Sequence, residues 1–262
     1  MAELNFHPGD EVRLRLAKEE LDGRVLESSD SSIILLKLES GYNIGIPKEN
    51  ILASRVLKKY KEETRKVEIK QNKSLPAIGL ILTGGTIASK VSPLTGGVKP
   101  IASAEEFLEF CPELLKIVYI KKLESPFKIF SENMSSDHWI KIAEAVKPML
   151  EDPDIKGIIV SHGTDTLHYT AAALSFFVKN LNKPIILTYS QRSIDRASSD
   201  ANLNLQCAAR MAISEAAEVM IVGHATANDD YCYALRGTKV RKLHSSTRDA
   251  FQPINTNPIA KV

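Results

Sequence analysis

The chain has 262 residues, with 34 Lys+Arg against 32 Asp+Glu for a formal net charge of +2, and 44% of it is hydrophobic. That length allows one large or two modest cores, and the charge balance excludes a protein dedicated to coating a polyanion. Three scattered cysteines read as reduced core thiols, no apolar stretch nears the roughly 20 residues that span a bilayer, and the Met-Ala-Glu-Leu-Asn start lacks a signal-peptide pattern. A cytoplasmic location is expected.

Short alternating segments come first. Turn signals at Pro8-Gly9-Asp10, Ser28-Ser29-Asp30-Ser31 and Ser40-Gly41 separate apolar stretches over residues 11–16, 23–26, 32–38, 42–46 and 51–57. Five strands in so little chain predict a small β-barrel docking domain over residues 1–57, and nothing in it reads as catalytic. Its opening, Phe6-His7-Pro8-Gly9-Asp10-Glu11-Val12, resembles the first turn of SH3-like barrels. Charge is uneven here: residues 1–54 hold six basic and ten acidic side chains, residues 55–73 eight basic and three acidic. Residues 58–75 therefore read as a charged linker.

Beyond Pro76 strands alternate with helices. The apolar run Ala77–Leu82 predicts a buried strand. Ser103, with Glu106 three residues on, predicts a capped helix over 103–115. Apolar runs at 117–120 and 127–130 follow, then a helix from Ser136 with its apolar face at Trp139, Ile142, Ala143, Val146 and Met149. Further strands are predicted at 157–161, 184–188 and 219–222, and helices at 167–181 and 200–214. The pattern predicts a mostly parallel sheet covered by helices, with any site at the carboxyl ends of the strands.

Three loops at such ends carry polar residues: Thr83-Gly84-Gly85-Thr86, Ser161-His162-Gly163-Thr164-Asp165-Thr166, and the stretch from Ser190 to Arg196. Paired glycines let the backbone turn tightly and approach a ligand, and a strand-to-helix turn directs N–H groups at a crevice. A plain turn and a helix cap remain the alternatives for the first two.

Taken together, Thr83-Gly84-Gly85-Thr86-Ile87-Ala88 and His162-Gly163-Thr164-Asp165-Thr166 resemble the paired signature of the L-asparaginase/glutaminase family. The resemblance implies an α/β amidohydrolase large domain over residues 76–262, with Thr86 as nucleophile and Thr164 and Asp165 as its second group. A lysine completes that group in the family. Lys242, ahead of the hydroxyl-rich run to Phe251, fits best, with Lys239 as rival. A neutral hydroxyl is a poor nucleophile, and a lysine takes its proton only where its surroundings leave the amine uncharged part of the time. The resemblance further implies substrate binding by Ser131 and Glu132, by Gly163 in the second loop, and by Thr95 in a lid.

The barrel, the lid and the loop from Gln191 to Ala201 narrow the resemblance to the D subunits of archaeal glutamyl-tRNA(Gln) amidotransferases. What that implies is L-glutamine hydrolysis feeding ammonia to an E subunit, which converts Glu-tRNA(Gln) to Gln-tRNA(Gln) in an assembly of two D and two E subunits. No cofactor and no metal are expected on this chain, whose glycine loop lacks a P-loop lysine; ATP and Mg²⁺ chemistry is expected on the partner. A smaller C-terminal domain of the family is not present in these residues. A free-standing asparaginase or glutaminase and a non-catalytic docking subunit are the competing readings.

Overall fold

The computed structural model describes residues 5–28, 30–61, 69–92, 94, 97–101 and 103–262. The chain divides into two compact units, Met1–Lys66 with Val91–Lys99, and Val67–Lys90 with Pro100–Val262.

In the first unit β1 (Glu11–Arg15), β2 (Glu20–Leu26), β3 (Ile33–Leu38), β4 (Asn43–Pro47) and β5 (Ala53–Lys58) form an antiparallel sheet in the order β4-β3-β2-β1-β5. All five predicted strands are present. Alternation is the cause: Val12 and Leu14 point inward from β1 while Arg13 and Arg15 stay exposed, and Val25, Leu36, Ile46 and Ile51 complete the core. The register of β1 against β5 shifts at Glu11/Val12, a bulge that bends the sheet. Leu94 belongs to this unit, its carbonyl accepting the Glu27 N–H at 2.9 Å.

The second unit is built on a seven-stranded sheet. Its elements are β6 (Ala77–Leu82), the parts outside residues 91–99 of the short strands β7 (Ser89–Val91) and β8 (Val98–Pro100), α1 (Ala104–Glu109), β9 (Tyr119–Glu124), α2 (Ser136–Glu151), β10 (Ile155–Ser161), α3 (Leu167–Phe177), β11 (Ile185–Thr188), α4 (Ala201–Ala212), β12 (Val219–His224), β13 (Cys232–Arg236), β14 (Val240–Lys242), β15 (Phe251–Pro253) and β16 (Ala260–Lys261). The order is β16-β13-β12-β11-β10-β6-β9, with β9, β6, β10, β11 and β12 parallel and β13 and β16 antiparallel at one edge. β10, β11 and β12 bury almost every side chain on both faces, which is why they read as unbroken apolar runs. One face packs on Leu205, Ala208 and Ala212 of α4, the other on Ile142, Val146 and Met149 of α2 and on Leu167, Ala171 and Leu174 of α3. The sheet is the expected mostly parallel one, with helices on both faces.

Three boundaries differ from the sequence reading. The helix capped by Ser103, whose Oγ accepts the Glu106 N–H at 3.1 Å, stops at Glu109, because the residue before Pro112 is pushed out of helical backbone. The run at 127–130 is no strand; it pairs with the sheet only through a bridge from Ile129 to Gly84. α3 ends at Phe177, and Asn180 just beyond has a φ of 53°, a conformation no helix continues through. Among the described residues no helix is long and apolar enough to cross a membrane, and no group of His, Cys, Asp and Glu is placed to hold a metal ion.

Candidate active site

β6 and β10 lie side by side and deliver the first two polar loops to one place. Thr83 closes the gap at the carboxyl end: its Oγ1 donates to Ser161 O at 2.7 Å and is fully buried. The chain then turns through Gly84 (φ 103°) and Gly85 (φ 76°), backbone that side chains rarely adopt. Space demands glycine as well. A Cβ on Gly84 would stand 2.7 Å from Ile129 N, and one on Gly85 would stand 2.5 Å from Gly163 Cα. The first loop therefore rests directly on the backbone of the second, and Thr86 opens a single 3₁₀ turn, Thr86–Ala88, at that crossing. The Thr86 hydroxyl is half-buried and has no hydrogen-bond partner among the described residues.

Gly163 is squeezed from its other side too: a Cβ there would meet Ser131 Oγ at 2.6 Å. The Ser131 oxygen accepts the Asp165 N–H at 3.0 Å, and Ser131 O accepts the Thr166 hydroxyl at 2.8 Å. Thr166 is the N-cap residue of α3, yet its hydroxyl makes no cap hydrogen bond. The second loop is thus held by Ser131 rather than by capping its own helix, which rules out the bland alternative for this hydroxyl. Beneath it His162 is fully buried, Nδ1 donating to Gly163 O at 2.7 Å and Nε2 accepting from Thr170 Oγ1 at 2.8 Å. Burial pushes its pKa down to about 4, so the ring is the neutral Nδ1–H tautomer and adds no charge to the site.

The third element is the β14–β15 hairpin, where Lys242 pairs across from Phe251. Its side chain is only 9% exposed and its Nζ donates to Thr164 Oγ1 and to Asp165 Oδ1, both at 2.8 Å. Lys239 is exposed and its side chain reaches neither group. The structure therefore brings together Thr164, Asp165, Lys242, Ser131 and Gly163, with Thr86 adjoining through the Gly85–Gly163 contact. Glu132 is exposed and forms no hydrogen bond or ion pair among the described residues. Thr95 lies outside the described residues.

Sequence reasoning missed the groups that hold the lysine hairpin. The Tyr189 hydroxyl donates to Arg248 O at 2.8 Å, Gln191 Nε2 donates to Thr247 O at 2.9 Å, and the Tyr189 ring lies 4.6 Å from that of Phe251. Asp200 in turn fixes the third loop by accepting the N–H groups of Gln191 and Arg192. Tyr189 immediately follows an apolar strand, and that position was the signal available.

Comparison with known proteins places both units in known families. Residues 77–262 match the family model described as "Asparaginase, N-terminal", and residues 6–57 match the "GatD N-terminal domain". Two curated relatives are the glutamyl-tRNA(Gln) amidotransferase subunits D of Pyrococcus furiosus and Saccharolobus islandicus. The first is 47% identical over 97% of this chain and 60% of the relative, the second 42% identical over 99% and 59%. The chain thus spans about three-fifths of the length of these relatives. Among solved structures, the thermostable L-asparaginase from Thermococcus kodakarensis is similar at a TM-score of 0.63 and 30% identity, covering 71% of this chain and 53% of that one. A probable cytoplasmic L-asparaginase from Campylobacter jejuni is similar at 0.62 and 25%, covering 71% and 55%.

Proposed function

The chain belongs to the asparaginase family, and from that premise we propose that it is the glutaminase part of a tRNA-dependent amidotransferase, releasing ammonia from L-glutamine for a partner subunit. The observation that carries the chemistry is Lys242 Nζ seated on both Thr164 and Asp165 at 2.8 Å, next to the glycine crossing that presents Thr86. In this reading the Thr86 hydroxyl, without a hydrogen-bond partner among the described residues, attacks the side-chain carboxamide carbon. Its proton passes to Thr164 as the Thr164 proton moves to Lys242 Nζ in the uncharged amine form, and the lysine then hands that proton to the leaving amide nitrogen. The amide nitrogen leaves as ammonia after taking a proton, and water then cleaves the acyl-threonine to glutamate. Ser131 has a hydroxyl proton to give to a substrate carboxylate, since its oxygen only accepts from Asp165 N. The exposed Glu132 and the Asp165 carboxylate are the acceptors for the substrate ammonium.

Support for the assembly comes from the first unit. Its match to the amidotransferase domain stands beside relatives named for that complex. On this reading the E subunit holds Glu-tRNA(Gln), ATP and Mg²⁺ and uses the ammonia, in a cytoplasmic assembly of two D and two E subunits. The barrel over residues 1–57 is then a docking domain, and residues 76–262 the amidohydrolase. Likeness to two L-asparaginases favours one rival, a free-standing amidohydrolase.

One comparison tests both. Ammonia release from L-glutamine and L-asparagine is measured with and without partner and Glu-tRNA(Gln), in wild type and Thr86→Ala. Glutamine preference, stimulation by the loaded partner and loss of about 10³-fold or more in Thr86→Ala are expected. Equal turnover of asparagine, indifferent to partner, establishes the rival; no effect of Thr86→Ala overturns the catalytic assignment.

A further inference from the structure

Lys242 is the last residue of its strand, paired with Phe251, and a loop begins directly after it. β14 is three residues long, and the chain from Leu243 to Ala250 bulges out before β15 returns, closed at its base by Leu243 N–H to Ala250 O at 2.7 Å. Arg248 ties that bulge down. Its Nη2 donates to Ser198 O at 2.8 Å and its Nη1 to Asp229 Oδ1 at 2.9 Å.

Asp229 is 61% exposed, and a lone Arg–carboxylate pair in such a place contributes little. This carboxylate has a second partner on its inner side. Oδ1 also lies at hydrogen-bond distance, 2.8 Å, from His224 Nε2, and the His224 side chain is entirely buried. The ring is held at its other end as well. Asn204 in α4 turns its amide nitrogen to Tyr189 O at 2.9 Å, which leaves its Oδ1 facing His224 Nδ1 at 2.7 Å; Cys232 Sγ–H reaches the same Oδ1 at 3.3 Å. Each ring nitrogen of His224 therefore faces an oxygen acceptor. The His224 hydrogen bond, with the charge of Arg248 beside it, holds the Asp229 carboxyl below the usual carboxylate range.

We propose that His224, Asp229 and Arg248 are positioning residues for Lys242: His224, anchored in β12 and α4, fixes Asp229, Asp229 fixes Arg248, and Arg248 sets the bulge that holds the lysine at Thr164. None of the three touches the reacting atoms. The inference rests on reading Lys242 as part of the glutaminase site. Placement is passed outward from the rigid sheet to a loop by three hydrogen bonds in series, each directional and each wasted if the next is lost. That differs from general stiffening of the fold, because the series ends on the loop that follows the lysine.

The test uses Asp229→Asn, Arg248→Lys and the double variant, in complex with the partner. Both sites lie at the surface end of the series and carry the test even if His224→Gln fails to fold. Steady-state ammonia release from L-glutamine should lose about ten- to a hundredfold in kcat with KM within about twofold. The double variant should be no worse than the poorer single one, as for groups acting in series. A second readout needs no activity: with ¹⁵N-lysine labelling, the Lys242 ammonium, held by two hydrogen bonds, gives a protected signal that Asp229→Asn weakens. If wild type releases no ammonia but this signal still depends on Asp229, the glutaminase reading fails and the positioning series stands. An unchanged kcat and signal in the single variants, a loss confined to KM, or losses that multiply in the double variant would each overturn it.

Discussion

On the Thr86 side of the site the chain is placed by backbone. Gly84 and Gly85 take conformations closed to other residues, and Gly85 lies on Gly163 with no room for a Cβ. On the Lys242 side the chain is placed by side chains. Tyr189, Gln191 and Arg248 each hold one point of a bulge whose own strand is three residues long. The contrast teaches why the two sides tolerate change so differently: a backbone contact fails all at once, whereas a set of side-chain ties fails by degrees.

Gly85→Ala is the most direct way to break the comparison, and the largest effect is expected there. A methyl 2.5 Å from Gly163 Cα, on backbone with a φ of 76°, forces both loops apart. Thermal unfolding should report a loss of about 2–4 kcal/mol, and ammonia release should disappear. A variant that keeps wild-type Tm would show that the crossing is looser than the geometry says.

Tyr189→Phe probes the other side. It removes the donor to Arg248 O but leaves the ring against Phe251, so a cost of about 1 kcal/mol and a several-fold fall in kcat are expected, with Gly85 undisturbed. Abolished activity would mean that the lysine side is as brittle as the glycine side.

The last effect is spread over a range of pH and is read as a slope. His162 underlies the crossing as a neutral ring, its pKa pushed from 6.5 to about 4 by burial. The unfolded chain takes up that proton as pH falls below 6.5 while the native chain does not, so stability declines between pH 6.5 and about 4 and levels off below. The contribution is at most about 3 kcal/mol. Denaturant titrations of His162→Gln should lack this part of the slope; an identical slope would place the proton uptake elsewhere.

The same division decides what could be read from the residues. β6, β10, β11 and β12 were legible because strands buried on both faces leave continuous apolar runs, and β1–β5 because strands buried on one face alternate. Thr83–Thr86 and Ser161–Thr166 were legible because backbone requirements leave glycines at fixed spacing. β13 and β16 were not, since edge strands as short as Ala260–Lys261 carry no period. The stretch at 127–130 looked like a strand on apolar content alone, yet only Ile129 meets the sheet. Lys242 could be ranked above Lys239 only by likeness to the family. His224, Asp229 and Arg248 were invisible, because each is an ordinary polar residue until folding puts them in line.

Where Gly85 bears on Gly163 there is nothing to repack, so the spacing of the two loops has no soft coordinate and is set by atomic radii. The Leu243–Ala250 bulge, in contrast, has as many soft coordinates as it has side-chain ties. Warming is therefore expected to loosen the lysine end before the glycine crossing. On the proposed reading of Thr86 and Lys242, ammonia release lost on mild heating should return on cooling without refolding, which a heating and cooling cycle followed by activity and near-UV circular dichroism checks.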